Sequence, residues 1–294
     1  MGRKHVISLC VVVSVVLGTT CLGCRNNQDT ETRDTALDQI SDQLSRISVN
    51  ATDLADRLFS EASTGHQYLD SKDMLELEEI NDELNEIETG TVDDSVTTDA
   101  MRERILQMIV RETLYELTST IGNYIYIRDS KAGLESIQMS LANRNTSYET
   151  ELYRWLSCIS ESQTCPYNER ELISLLLNKY IQGATDSCLL SFYELDNNIF
   201  NSNRQSLQGF LDNCSRSIKR ILDEVRELEV PEELALARSE LINTLQEMDK
   251  QNSFLKDSDW PVMDEADLEK MIEGYIVNRD KIYETISPFL PLSE

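Results

Sequence analysis

Between residues 37 and 58, Leu37, Ile40, Leu44, Ile47, Ala51, Leu54 and Leu58 recur at alternating spacings of three and four. That period matches the turn of an α-helix and not the two-residue repeat of a strand. A chain carrying such a seam must lay one helical stripe against an apolar neighbour. Too few heptads repeat to specify an intermolecular coiled coil, so the seam is read as packing within the chain.

The same period returns along the sequence. Leu77, Ile80, Leu84 and Ile87 make an inward face on a very acidic segment whose Glu76, Glu79, Glu83 and Glu86 point largely outward. From Asp99 onward, Leu106, Val110, Thr113, Leu117, Ile121 and Tyr124 repeat at helical spacing, with "RDSKAG" as a kink or stop. Shorter segments carry Leu134, Ile137 and Leu141, then Tyr148, Leu152, Trp155 and Ile159. Pro166 is placed to open a strongly apolar helix over 167–199, central in a bundle. Leu207, Leu211, Cys214, Ile218, Ile221, Val225 and Leu228 form a further seam. Pro231 stands at the first position of a helix carrying Leu234, Ala237, Leu241, Leu245 and Met248. A last helix carries Leu268, Ile272, Tyr275, Ile282 and Ile286.

No useful β-alternation interrupts these seams, and Gly (10) and Pro (5) are too scarce to punctuate many short strands. The expected fold is all-α, an elongated multi-helix bundle of antiparallel hairpins, with 166–287 as a four-helix unit.

Residues 1–23 carry the three parts of a secretory signal peptide: Arg3 and Lys4, an apolar run from Val6 to Leu17, and a small-residue stretch to Gly23. The run is short for a membrane span, which needs about 20 apolar residues. "TTCLGC" resembles the lipobox of prokaryotic lipoproteins, with Gly23 at the small position before Cys24 and Leu22 apolar. Cys21 stands where that family usually has leucine. The resemblance ends at Cys24 and implies that this thiol is acylated, so that the chain meets the membrane through an N-terminal lipid at its extracytoplasmic face. Ordinary cleavage after Thr20 or Gly23 would instead release a secreted protein. The expected organisation is a signal segment (1–23), a polar linker (24–33), an N-terminal helical region (34–160) and a C-terminal helical bundle (161–294), the last two continuous.

The formal net charge is −26 over 294 residues, and loss of the signal segment would remove Arg3 and Lys4 but no acid. Such a chain repels phosphate backbones, which argues against nucleic acid, and it stands off anionic headgroups. A protein partner with a basic surface suits it. Export and the four cysteines beyond Cys24 point to disulfides. Cys158 and Cys165 flank one turn and are paired across it; Cys188 and Cys214 come level in a hairpin closing near Asn201.

Catalytic sets are thin. His66 is the only histidine beyond the signal segment, in a loop, and no phosphate-binding or zinc-protease motif occurs. "DSDWPVMDEAD" offers Asp257 and Asp259 at the first two positions of a calcium loop, with Asp264 nearby. Val262 and Leu268 then stand where Gly and Glu are required. These acids are weak metal candidates, and no cofactor is expected. The sequons at Asn50, Asn145 and Asn213 matter only in a eukaryotic host. The expected role is a non-catalytic protein-interaction or structural one; the alternative is a cation- or small-ligand-binding lipoprotein feeding membrane machinery.

Overall fold

The computed structural model describes residues 28–63, 71–87, 98–130, 134–160, 165–196, 204–257 and 265–291. Among them the chain is all-α. The helices are α1 (Gln28–Ser63), α2 (Ser71–Asn85), α3 (Thr98–Ser130), α4 (Leu134–Ser160), α5 (Glu169–Asp196), α6 (Arg204–Glu227), α7 (Ala235–Asp257) and α8 (Glu265–Ile286). Two 3-10 turns, Glu232–Leu234 and Ser287–Phe289, precede α7 and follow α8. Residues Leu37–Glu294 group as one compact unit; of the other, Met1–Ala36, the described part is the opening of α1. That helix starts at Gln28, inside the stretch expected as linker.

Three local expectations need correction. The segments between 134 and 160 are one continuous helix, because Asn143, Asn145, Thr146 and Ser147 disfavour helix only weakly. Pro166 does not open α5. The start is set by Asn168, whose Oδ1 accepts the Glu171 N–H at 3.1 Å while Glu171 Oε2 accepts the Asn168 N–H at 2.8 Å. This reciprocal capping box satisfies two amides that the first helical turn would otherwise leave bare. Pro231 likewise sits outside α7: Leu234 N–H donates to its carbonyl at 2.9 Å, making the 3-10 turn that leads into the helix.

Chain directions follow from which residues meet. Between α6 and α7, Arg238 donates to Val225 O, and Asn252 Nδ2 to Leu211 O, pairs that close symmetrically about Pro231. Lys179 of α5 meets Glu151 of α4 symmetrically about Cys165. Both are antiparallel hairpins, as is α1–α2, held by Arg46 to Glu83 and Arg57 to Asp73 and Glu76. By contrast, α3 and α5 run parallel: Arg102 meets Cys165, and Glu116 meets Lys179, each pair 63 residues apart.

In packing, α3 contacts α2, α4 and α5, while α5 contacts α3, α6, α7 and α8. The last four helices close on one another as the expected four-helix unit, with α5 shared between it and α3. Leu172, Ile173, Leu176, Leu177, Tyr180 and Ile181 of α5 are accordingly fully buried. Each such aliphatic side chain stabilises the fold by about 1.5–3 kcal/mol.

Candidate functional site

The segment "VRETLYEL", residues 110–117, places Arg111, Glu112, Tyr115 and Glu116 on a helix whose neighbours cover nearly all its sides. Charges there have no water to turn to and must find partners within the protein. They do so in two adjacent clusters.

In the first, α6 supplies Arg220 and Glu224. The Arg220 guanidinium faces Glu112 in a two-pronged pair, with Nη2 to Oε2 at 2.8 Å and Nη1 to Oε1 closer still. Its Nη1 also reaches Glu224 Oε1 at 3.3 Å, one turn along α6. Arg111 pairs with Glu224 Oε2 and lies 3.8 Å from Glu112 Oε1. Tyr180 of α5 donates its hydroxyl to Glu224 Oε2 at 2.6 Å, and the Tyr115 ring lies 4.0 Å beneath the Arg220 guanidinium. Two cations meet two anions. Burial alone would lower the pKa of Arg220, but Glu112 and Glu224 outweigh it and raise that pKa, keeping the guanidinium charged. Burial, then Glu224 and Glu112, push the Tyr180 hydroxyl well above its ordinary value, so it stays a donor.

In the second cluster, Lys179 of α5 reaches Glu116 Oε2 at 3.2 Å and Glu151 Oε2 of α4 at 2.7 Å. One cation serves two carboxylates. Glu116 Oε1 is buried and has no hydrogen-bond partner. Burial raises the Glu116 pKa to about 7, with Lys179 working against the shift and Glu151 and Glu112 adding to it. Burial opposes the charge on Lys179, but the two carboxylates more than offset it and its pKa is raised.

A recess between α7 and α8 has a volume of about 220 Å³ and is edged by Glu240, Asn243, Glu247, Asn278 and Lys281; neither cluster lines it. Lys281 Nζ pairs with Glu240 Oε1 across it at 2.8 Å. This is smaller than the roughly 300–1,000 Å³ of common small-ligand pockets.

The residues singled out from sequence fall in several places. Cys158 and Cys165 are brought together, both buried, but as free thiols; the expected bridge is not formed in this structure. They are hydrogen-bonded neighbours, and burial together with that contact pushes the Cys158 thiol up to about 12. Joining two thiols removes two electrons, so proximity alone leaves the pair reduced until an oxidant is supplied. Cys214 is buried and disulfide-bonded; the side chain of Cys188 lies outside the described residues. So do Cys24, His66, Asp259, Asp264 and the side chain of Asp257. Among the described residues no group of three or more His, Cys, Asp or Glu could hold a metal ion, and no helix is long and apolar enough to cross a membrane.

The two ionic clusters escaped the periodicity argument, although a signal was present. Glu112 and Glu116 sit in a run, "ILQMIVRETLYELTSTI", that is apolar on more than one face, so some of its charges had to be buried. No family model matches the chain, and neither a curated protein nor a solved structure does.

Proposed function

We propose that this chain is a membrane-anchored, extracytoplasmic helical lipoprotein whose role is non-catalytic contact with a protein of basic surface. The observation that carries the reading is the outward face of α2. Glu78, Glu79 and Asp82 are exposed there at helical spacing, with Glu86 exposed just past its end, beside an exposed Met74 and a Leu75 with 58 % of its surface accessible. Lys72 is the only base of that helix. The other acids of α2 are already engaged: Asp73 and Glu76 hold Arg57, and Glu83 holds Arg46. What is left outward is an acidic stripe with an apolar foothold, which suits a basic surface with an apolar centre.

The buried charges support the same reading from the other side. Glu112, Glu224 and Arg220 spend their hydrogen-bonding capacity within one cluster and Lys179 spends its own on Glu116 and Glu151, and a catalytic acid, base or nucleophile needs an approach to substrate.

The test compares the full chain with a Glu78→Lys/Glu79→Lys/Asp82→Lys variant in crosslinking and co-purification from solubilised membranes, at low and physiological salt. A specific partner recovered by the wild type, weakened by salt and lost by the variant supports the reading. A partner retained equally by the variant overturns the role of α2. Mass spectrometry of the same preparation checks the anchor, since an unmodified soluble chain starting at Cys24 would remove it. Calcium titration separates the cation-binding alternative, which requires a stoichiometric site that survives physiological salt.

A further inference from the structure

We propose that Cys158 and Cys165 form a dithiol–disulfide couple that locks the corner between α4 and α5 when oxidised. The corner is already fixed from three directions. Arg102 of α3 donates through Nη2 to the carbonyls of Cys165 and Tyr167, both at 2.7 Å. The Trp155 and Tyr167 rings lie against each other, with centroids 5.3 Å apart and planes inclined at 49°. Lys179 and Glu151 tie the two helices two turns further along. Against this frame the two thiols are both buried and near enough for Cys165 to act on the ionisation of Cys158, so the frame brings together the two groups that oxidation would join.

The chemistry is thiol–disulfide exchange, and the co-reactant is a disulfide, either low-molecular-weight or carried on a protein. Cys165 lies outside the helix. Cys158 lies in the last turn of α4, where the negative end of the helix dipole disfavours a thiolate, and its burial acts in the same sense. Cys165 therefore attacks first. Its thiolate bonds to one sulfur of the incoming disulfide and expels the other as a thiolate. Cys158 then attacks Cys165 Sγ and expels the second thiolate. The two protons released by the cysteines end on the two leaving thiols, and the pair of electrons lost by the cysteines reduces the incoming disulfide. The bridge closes a short loop, so it restrains the unfolded chain less than a long-range bridge does.

This inference does not depend on where the chain resides or what it binds. The test equilibrates the purified full chain, under native conditions, across a series of oxidised-to-reduced glutathione ratios. Samples are acid-quenched, alkylated and cut with a Glu-specific protease, because Glu161 lies between the two cysteines and cleavage there separates them. The expected result is a Cys158–Cys165 linked pair that rises through a single two-electron transition and is reversed by dithiothreitol. In a Trp260→Phe background, which leaves Trp155 as the only tryptophan, fluorescence should fall along the same transition as the disulfide forms beside the indole. Cys158→Ser should accumulate a glutathione adduct on Cys165 that the wild type resolves. The wild-type titration decides by itself if that variant does not fold. Both thiols alkylated at every ratio, a link appearing only in denaturant, or a persistent wild-type adduct on Cys165 would each overturn the proposal.

Discussion

The two ionic clusters on α3 lie one helical turn apart and each holds two glutamates, yet they are balanced differently. Around Arg220 and Arg111, two guanidinium groups meet Glu112 and Glu224, and Tyr180 supplies a further donor. Around Lys179, a single ammonium serves Glu116 and Glu151, and one oxygen of Glu116 goes without a partner. Both clusters carry the cost of removing charge from water. The first offsets it with matched charge and bidentate geometry; the second does so in part, and the shortfall appears as a carboxyl that titrates near neutrality. The first cluster is a fixed lock on the packing of α3, α5 and α6. The second is the part of the interior that responds to pH.

The largest effect should come from breaking the balanced cluster. Arg220→Met leaves the Glu112 carboxylate, which is 3 % exposed, without its two-pronged partner and removes the guanidinium from the face of Tyr115. Loss of one member of such a pair costs about 3–5 kcal/mol, because the remaining charge stays buried and uncompensated. Urea unfolding at neutral pH measures it. The added change Glu112→Leu should recover most of the loss, since a well-packed apolar pair replaces a buried ion pair at little net cost. If the single variant lost less than about 1 kcal/mol, Glu112 would have to be solvated in the native state, and the lock would be lost with it.

A smaller and pH-dependent loss is expected for Lys179→Met. At pH 8 the change leaves Glu116 and Glu151 facing each other without a cation, for a loss of about 2–4 kcal/mol. At pH 5 Glu116 takes up a proton and the repulsion goes with it, so the loss should shrink by half or more. Arg220→Met should show less relief over the same range, because Arg111 remains against Glu224 and 3.8 Å from Glu112 as a counter-charge. Equal pH dependence in the two variants would erase the distinction between the clusters.

The helices were legible in the sequence because burial along most of them is periodic. Leu44, Ile47, Ala51, Leu54 and Leu58 on α1, and Leu211, Cys214, Ile218, Ile221 and Val225 on α6, are all buried as their spacing requires. The four-helix unit of α5 to α8 followed from short connections and the apolar run of α5. What spacing does not carry is the identity of a partner across a helix interface. Glu112 finds Arg220 at a separation of 108 residues, and nothing local to either residue specifies that meeting. Helix starts failed for a related reason. Pro166 and Pro231 mark where a helix can begin, but the hydrogen bonds of Asn168 with Glu171, and the 3-10 turn after Pro231, decide where it does. Cysteine spacing gave the neighbourhood of Cys158 and Cys165 and not their oxidation state, which depends on an external oxidant.

The smallest change to the chain is the sharpest test of the second cluster. Glu116→Gln keeps the shape of the side chain and removes its charge, leaving Lys179 paired with Glu151 of α4. The Glu116 pKa is raised in the folded state, to about 7 from an ordinary 4.5, so between those values the native chain binds more proton than the unfolded one. Stability from this group is therefore fully present below pH 4.5 and is lost as pH rises to about 7, with no further change above. The shift corresponds to roughly 3–4 kcal/mol across that window. Lys179 is shifted in the direction of tighter proton binding, so its own contribution is lost only at alkaline pH, above its ordinary value of 10.5, and does not overlap. The other acids facing Glu116 are Glu151 and Glu112. Near pH 4.5 the variant and the wild type should unfold at similar urea concentrations. By pH 8 the wild type alone carries the cost of an ionised Glu116, so the variant should have gained roughly 3–4 kcal/mol relative to it. A stability difference that stays flat from pH 4.5 to 8 would mean that Glu116 is charged throughout, and that Lys179 balances two carboxylates as fully as Arg220 and Arg111 balance theirs.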